Sequence, residues 1–327
     1  MDNYEKFATF SYPDTIPVTS YVYDPVWRKY GEALEEIVLS HPNIFPEYKK
    51  GDYLSSLPPS TWWPYELGKH TDHWGNEWDN IVDGHDSICI RGALPDLEDV
   101  DKLPLPKDDI GLTHGFMFLQ LTYIRGYENA MIDFIEEKPE FFRLIEKVIS
   151  YNERQIKLQL NKMKPDDYII RFGDDLGMQN SLPTGPDRWR KILKPCYMRL
   201  YKPCKEQGKL IYMHSDGCIF EIIPDLRDCG VDIINPQFRA NDLANLKRVT
   251  RGEGRCKIAV NLDLDRQLFP FATPSELEDH IMECVEALYL PSGGLALFAE
   301  ISEDIPLENI STIYKALEKA RLYKIRK

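Results

Sequence analysis

Residues 209–237 read KLIYMHSDGCIFEIIPDLRDCGVDIINPQ. Two short runs of aliphatic and β-branched residues, Lys209–Met213 and Val231–Ile234, flank a stretch, Ile219–Cys229, whose apolar positions recur at helical spacing. Gly230 stands just past that stretch, where helices commonly stop. A strand, a helix and a second strand in this order make a βαβ unit, and such a crossover sets its strands parallel. The beat continues on both sides. Tyr168–Phe172, Lys257–Asn261 and Gly294–Ala299 read as strands, and Pro186–Gln207, Asn241–Thr250, Thr273–Leu290 and Leu307–Leu322 as helices. Upstream, Ile16–Tyr23 reads as a strand with Val26–Leu39 as its helix, and Gly115–Ile124 as another strand. Helical sequence then runs from Glu128 to Met163 with a break at Pro139. With a weak strand at Ser87–Arg91 the count reaches eight. These elements predict an α/β fold, a closed (β/α)8 TIM barrel formed by residues 1–327 as a single domain.

The chain has 327 residues, of which 40 are basic and 53 acidic, for a formal charge of −13. A nucleic-acid surface needs the opposite sign, so a nucleic-acid partner is not expected. Hydrophobic residues make up 43% and charged residues 28%, the balance of a globular protein with a substantial core. No apolar run approaches the length of a membrane span, and the first residues, MDNYEKFATF, hold acids where a signal peptide would be apolar. Seven cysteines, an odd number without a CxxC pair, suit a reducing compartment; the expected location is cytoplasmic.

Residues 41–114 interrupt the rhythm. They carry four of the six tryptophans (Trp62, Trp63, Trp74, Trp78) and the histidines His41, His70, His73, His85 and, at the edge, His114. An irregular, aromatic-rich insertion of this length suggests a lid over a barrel mouth, with Trp62, Trp63 and Trp74 as ligand-stacking walls; the alternative is plain packing on the exterior.

In a parallel barrel the active site lies at the C-terminal ends of the strands. That rule selects Asp174 and Asp175, His214 with Asp216, Asn235 to Gln237, Asp263 and Glu300. Carboxylates gathered in this way must be paired with a cation, a substrate or each other. His214, Asp216 and Glu300 form a candidate divalent-metal site, because one imidazole and two carboxylates suit zinc; Cys218 is an alternative to Asp216. A metal-free alternative has His214 hydrogen-bonded to Asp174 or Asp175. These two aspartates are adjacent and point opposite ways along an extended strand end, so one faces the mouth as a catalytic acid or base or as a substrate anchor. The other caps the following helix or pairs with a basic residue such as Arg171. Tyr212 and Gln237 are candidates for orienting a substrate. Fingerprints for dinucleotide binding, P-loop hydrolysis, serine hydrolysis and HExxH zinc proteases are absent from the sequence.

Four ordered stretches carry a family resemblance: GDDLGMQNSLPTGPDRWRKILKPCYMRLY from residue 173, the stretch from residue 209 quoted above, NLDLDRQLFPFATPSELEDHI from residue 261, and PSGGLALFAEISEDIPLENI from residue 291. Together they resemble the uroporphyrinogen decarboxylase superfamily; IPVTSYVYDPVW and DHWGNEWDN resemble it more loosely. The resemblance implies a (β/α)8 barrel with its funnel at the strand C-termini. The arginine-rich RQAGR-type clamp of the tetrapyrrole decarboxylases has no counterpart in YVYDPVWRKYGEAL, residues 21–34. The other branch comprises methyltransferases of corrinoid-dependent systems, with zinc held by a His-x-Cys and a further cysteine near the last strand. His214 matches that histidine; Asp216 stands at the first cysteine's position, and Ala299-Glu300 at the last one's.

Replacing thiolates with carboxylates makes the site harder and suits it to polarising an oxygen rather than a thiol. The resemblance therefore implies a methyltransferase that takes a methyl group from an oxygen-bound donor, for which a methoxylated aromatic is the candidate. The acceptor is the cobalt of a cobalamin-type corrinoid. A DxHxxG cobalamin signature is missing, so the corrinoid is expected on a separate partner protein. Two other readings stand beside this one: a decarboxylase of a small acid that uses the aspartates without metal, and a non-catalytic barrel that binds a corrinoid or tetrapyrrole.

Overall fold

The structure, a computed structural model, describes residues 1–60, 65–107, 109–252 and 257–323. Nine strands are present among them: β1 (Val18–Val22), β2 (Gly68–Thr71), β3 (Glu77–Asn80), β4 (Ile88–Arg91), β5 (Ile169–Gly173), β6 (Leu210–Ser215), β7 (Ile233–Pro236), β8 (Ala259–Asp263) and β9 (Leu295–Ile301). The chain divides into two compact units, one made of Met1–Ser60 with Ile233–Lys327, the other of Thr61–Asp232.

In the first unit four strands lie in the order β1-β9-β8-β7, every pair parallel. All residues of β7 and β8 are buried. Strands covered on both faces must be apolar throughout, which is why IINP and AVNLD show so little alternation. The helices between them start and stop where local chemistry dictates. Thr273 accepts the Glu276 amide while the Glu276 side chain accepts from the Thr273 backbone, a capping box with Pro274 in the first turn. The helix Leu307–Arg321 buries Ile310, Ile313, Tyr314 and Leu317, the i, i+3, i+4, i+7 face of an amphipathic helix.

His280, inside the helix Pro274–Leu288, is 7% exposed, and its Nε2 accepts the Asp265 amide at 3.1 Å. Burial, together with the charge of Arg239, outweighs the pull of Asp265 and lowers its pKa to about 4. His280 is therefore neutral in the folded chain, whereas in the unfolded chain it binds a proton below about pH 6.5. Its contribution is complete above that pH and is lost as pH falls toward 4, by up to about 3 kcal/mol. Denaturant unfolding of wild type against His280→Gln, measured from pH 7 to pH 4, should show this share of the acid loss missing in the variant.

The second unit pairs β5 with β6 in parallel, with the helices Pro139–Lys162 and Lys194–Glu206 beside them, and holds a separate antiparallel sheet, β2-β3-β4. Six parallel strands alternating with helices, four in one unit and two in the other, give the α/β class of a TIM-barrel-like fold.

Two of the eight strands expected from the sequence differ. Gly115–Ile124 contains no strand; from Phe118 to Arg125 it is a helix in which Phe118, Gln120, Leu121, Thr122, Ile124 and Arg125 are all buried. An apolar run buried on every side has no period that separates strand from helix. Ser87–Arg91 does hold a strand, β4, but it pairs antiparallel with β3. The 41–114 insertion is thus partly regular, and its centre is Asp72. That buried carboxylate accepts the amides of Trp74 and Asn76, the Asn76 side chain and the Trp78 indole, all within 2.9 Å. Among the described residues no helix is long and apolar enough to cross a membrane.

Candidate functional site

Strands β5 and β6 end level with each other, Gly173 opposite His214. Beyond that point their loops stay joined. The Asp174 amide donates to the His214 carbonyl at 3.1 Å, the Leu176 amide to Ser215 Oγ at 3.0 Å and the Cys218 amide to the Met178 carbonyl at 2.7 Å. Such close backbone approach needs glycine on both sides. A Cβ on Gly217 would lie 2.2 Å from the Gly177 carbonyl, and Gly217 has φ +80°, a conformation side chains disfavour. The junction is therefore a rigid platform for the side chains it carries.

As expected for neighbours on an extended strand end, Asp174 and Asp175 diverge. Asp174 is fully buried; it accepts the amides of Met117, Phe118 and Leu119 at 3.1, 2.6 and 2.9 Å and the Tyr197 hydroxyl at 2.6 Å. It caps the helix Phe118–Arg125, whose own N-cap residue, Met117, offers no side-chain acceptor. With four donors and no exposure it has no path to a substrate.

Asp175 faces the open side. Its Oδ1 accepts the Asp216 amide at 2.9 Å and lies 3.9 Å from His214 Nε2, while Oδ2 accepts from His114 Nε2 at 2.9 Å. His214 Nε2 is also 3.2 Å from Asp216 Oδ1. One ligand atom each from Asp175, His214 and Asp216 fall within 4.8 Å of one another. The three side chains are 29%, 23% and 38% exposed, open enough for a ligand to reach them. Burial works to raise the Asp175 carboxyl, but the hydrogen bond and charge of His114, the charge of His214 and the Asp216 amide outweigh it and hold the group below its ordinary range. Asp175 is thus an anion at neutral pH. Burial works to lower His114, and the hydrogen bond and charge of Asp175 reverse it, leaving His114 above its ordinary value. Asp86 feels the charges of His114, Asp175 and Asp216, and desolvation first, then the two aspartates, raise it. Tyr123 feels Asp175 and Asp86, and its ring lies edge-on to Trp78 at 4.7 Å.

The remaining residues singled out in the sequence fall as follows. Tyr212 lies two positions before His214, on the same face of β6, buried with the Arg171 guanidinium 4.5 Å over its ring. Trp74 is 3% exposed and packs edge-on against Tyr151, so it is a core residue of its sheet region rather than a free stacking wall. Trp62 and Trp63 lie outside the described residues. Cys218 is buried, which pushes its thiol pKa up and disfavours the thiolate a metal needs. Gln237 and Glu300 belong to the other unit. Gln237 follows β7 and accepts from the Asn241 side chain at 2.8 Å. Glu300, in β9, accepts from the Tyr23 hydroxyl at 2.9 Å and pairs with Arg266, which also reaches Asp263 at 2.8 Å. Glu300 is thus engaged in an ion-pair network within its own unit, while Asp175 lies beside His214 and Asp216.

A histidine and two carboxylates thus gather at the C-terminal ends of the parallel strands β5 and β6, the end at which parallel barrels carry their sites. The family model described as Uroporphyrinogen decarboxylase (URO-D) matches residues 114–320, well over half of the chain. The chain belongs to the uroporphyrinogen decarboxylase family. A search of curated proteins gave no match.

Proposed function

We propose that this chain is a methyltransferase that moves a methyl group from an oxygen-bound donor, a methoxylated aromatic being the candidate, to the cobalt of a corrinoid carried by a separate protein. The observation that supports this reading is the cluster of Asp175, His214 and Asp216, whose chemistry fits a zinc ion: one borderline nitrogen donor and two hard oxygen donors, converging within 4.8 Å. Zinc bound there supplies Lewis acidity that stabilises negative charge on an oxygen as its methyl group departs. His214 Nε2 and one oxygen each of Asp175 and Asp216 would hold the ion. Asp175 enters this role already ionised, so little is spent on deprotonating it. The site has no thiolate among its donors, which favours an oxygen-bound methyl over a thiol as its partner.

The test is to incubate the zinc-supplied chain with reduced cobalamin and a panel of methoxylated aromatics. Methylcobalamin formation matched by release of the corresponding phenol is the expected result. Failure to methylate cobalt, free or protein-borne, from every oxygen-bound donor would overturn it. A second reading, decarboxylation of a small acid, draws on the His114–Asp175 hydrogen bond, which raises the proton affinity of His114 as a proton donor to a carbanion. Carbon dioxide release from a candidate acid without added metal would favour it.

A further inference from the structure

His114 was not among the expected site residues, yet it is the side chain most intimately joined to Asp175. Its backbone is pinned to β5, because the Gly115 amide donates to the Gly173 carbonyl at 2.8 Å. Its ring lies directly on Gly173. A Cβ at that position would fall 2.4 Å from His114 Nδ1, so the imidazole occupies the space that a side chain on residue 173 would fill. Gly173 has no left-handed conformation to maintain, so space is the reason glycine serves there. From this seat Nε2 donates to Asp175 Oδ2 at 2.9 Å, with the ring centroid 5.6 Å from that of His214.

A lone aspartate carboxylate turns freely about its last torsion. Here each oxygen has its own donor, His114 for Oδ2 and the Asp216 amide for Oδ1. Two donors from different segments fix the carboxylate plane and keep Oδ1 on the side of His214 and Asp216. Groups that hold metal ligands in place in this way commonly contribute about 10- to 100-fold in metal affinity.

We infer that His114 is a positioning residue: seated on Gly173, its imidazole fixes Asp175 as a metal ligand beside His214 and Asp216. This rests on the zinc reading above. The experiment is competition for zinc between a chromophoric chelator and the full chain, as wild type, His114→Ala, His114→Gln and Gly173→Ala. His114→Ala and Gly173→Ala should each weaken zinc by about 10- to 100-fold, the second by displacing the ring while leaving it in the chain. His114→Gln, whose amide can still donate to Oδ2, should recover most of the affinity. Thermal unfolding with a chelator present should be the same for wild type and both His114 variants, separating positioning from a folding role. Unchanged affinity in His114→Ala, with zinc bound by wild type, would overturn this inference alone. Loss beyond about 1,000-fold in both His114→Ala and His114→Gln would overturn it in favour of His114 as a ligand in its own right. A wild type that takes up no zinc would overturn it together with the zinc reading.

Discussion

Replacing Asp174 with alanine should lower the unfolding free energy by about 3–5 kcal/mol, because it strips partners from several buried donors at once. Three of those donors are the amides of the N-cap Met117 and of Phe118 and Leu119, the first two residues of the helix Phe118–Arg125, and the fourth is the Tyr197 hydroxyl. Each buried N–H left without an acceptor costs about 1–3 kcal/mol, and rearrangement recovers part of the sum. Asp174→Asn keeps one carbonyl acceptor and should fall between wild type and alanine. Tyr197→Phe removes a single hydrogen bond to a charged group and should cost about 1.5–3 kcal/mol. Urea unfolding measures all three. An Asp174→Ala loss under about 1 kcal/mol would mean the helix start finds other acceptors.

The second large effect falls on chemistry. On the zinc-dependent methyltransferase reading proposed above, His214→Ala should reduce methyl transfer by at least about 10³-fold, since removing a Lewis acid withdraws several kcal/mol of stabilisation from the departing oxygen. Asp216→Ala should act in the same direction. Neither side chain is in the core, His214 being 23% and Asp216 38% exposed, so the unfolding midpoint should move little. Initial rates at saturating donor, measured beside thermal melts, separate lost chemistry from lost folding. A His214→Ala enzyme within tenfold of wild type would remove the histidine from the mechanism.

The alternation of strand and helix could be read from the sequence because its signals are local: β-branched runs, Pro at first turns, Gly past helix ends. Gly115–Ile124 misled for the same reason. Its helix is specified by Asp174, more than fifty residues downstream, which satisfies the amides of the first turn. The site shows the same boundary. Strand ends pointed to Asp174, Asp175, His214 and Asp216, and the two adjacent aspartates do part company, but Asp174 caps the upstream helix Phe118–Arg125 rather than the helix that follows it. His114 carried no comparable mark, since its tie to Asp175 crosses 61 positions and depends on the missing side chain of Gly173. Glu300 stands at a strand end that the sequence marks; its pairing with Arg266 and Tyr23 is visible only once the first unit is folded. Trp74 likewise lies beside a polar hub at Asp72 that no periodic pattern announces.

The most direct measurement is the zinc content of anaerobically purified protein, before and after zinc is supplied, for wild type, Asp175→Ala, His214→Ala and Glu300→Ala. About one zinc per chain in wild type and in Glu300→Ala, with little in Asp175→Ala or His214→Ala, is the predicted result. A wild type that stays metal-free when zinc is supplied, or zinc that survives both the Asp175 and His214 replacements, would contradict it.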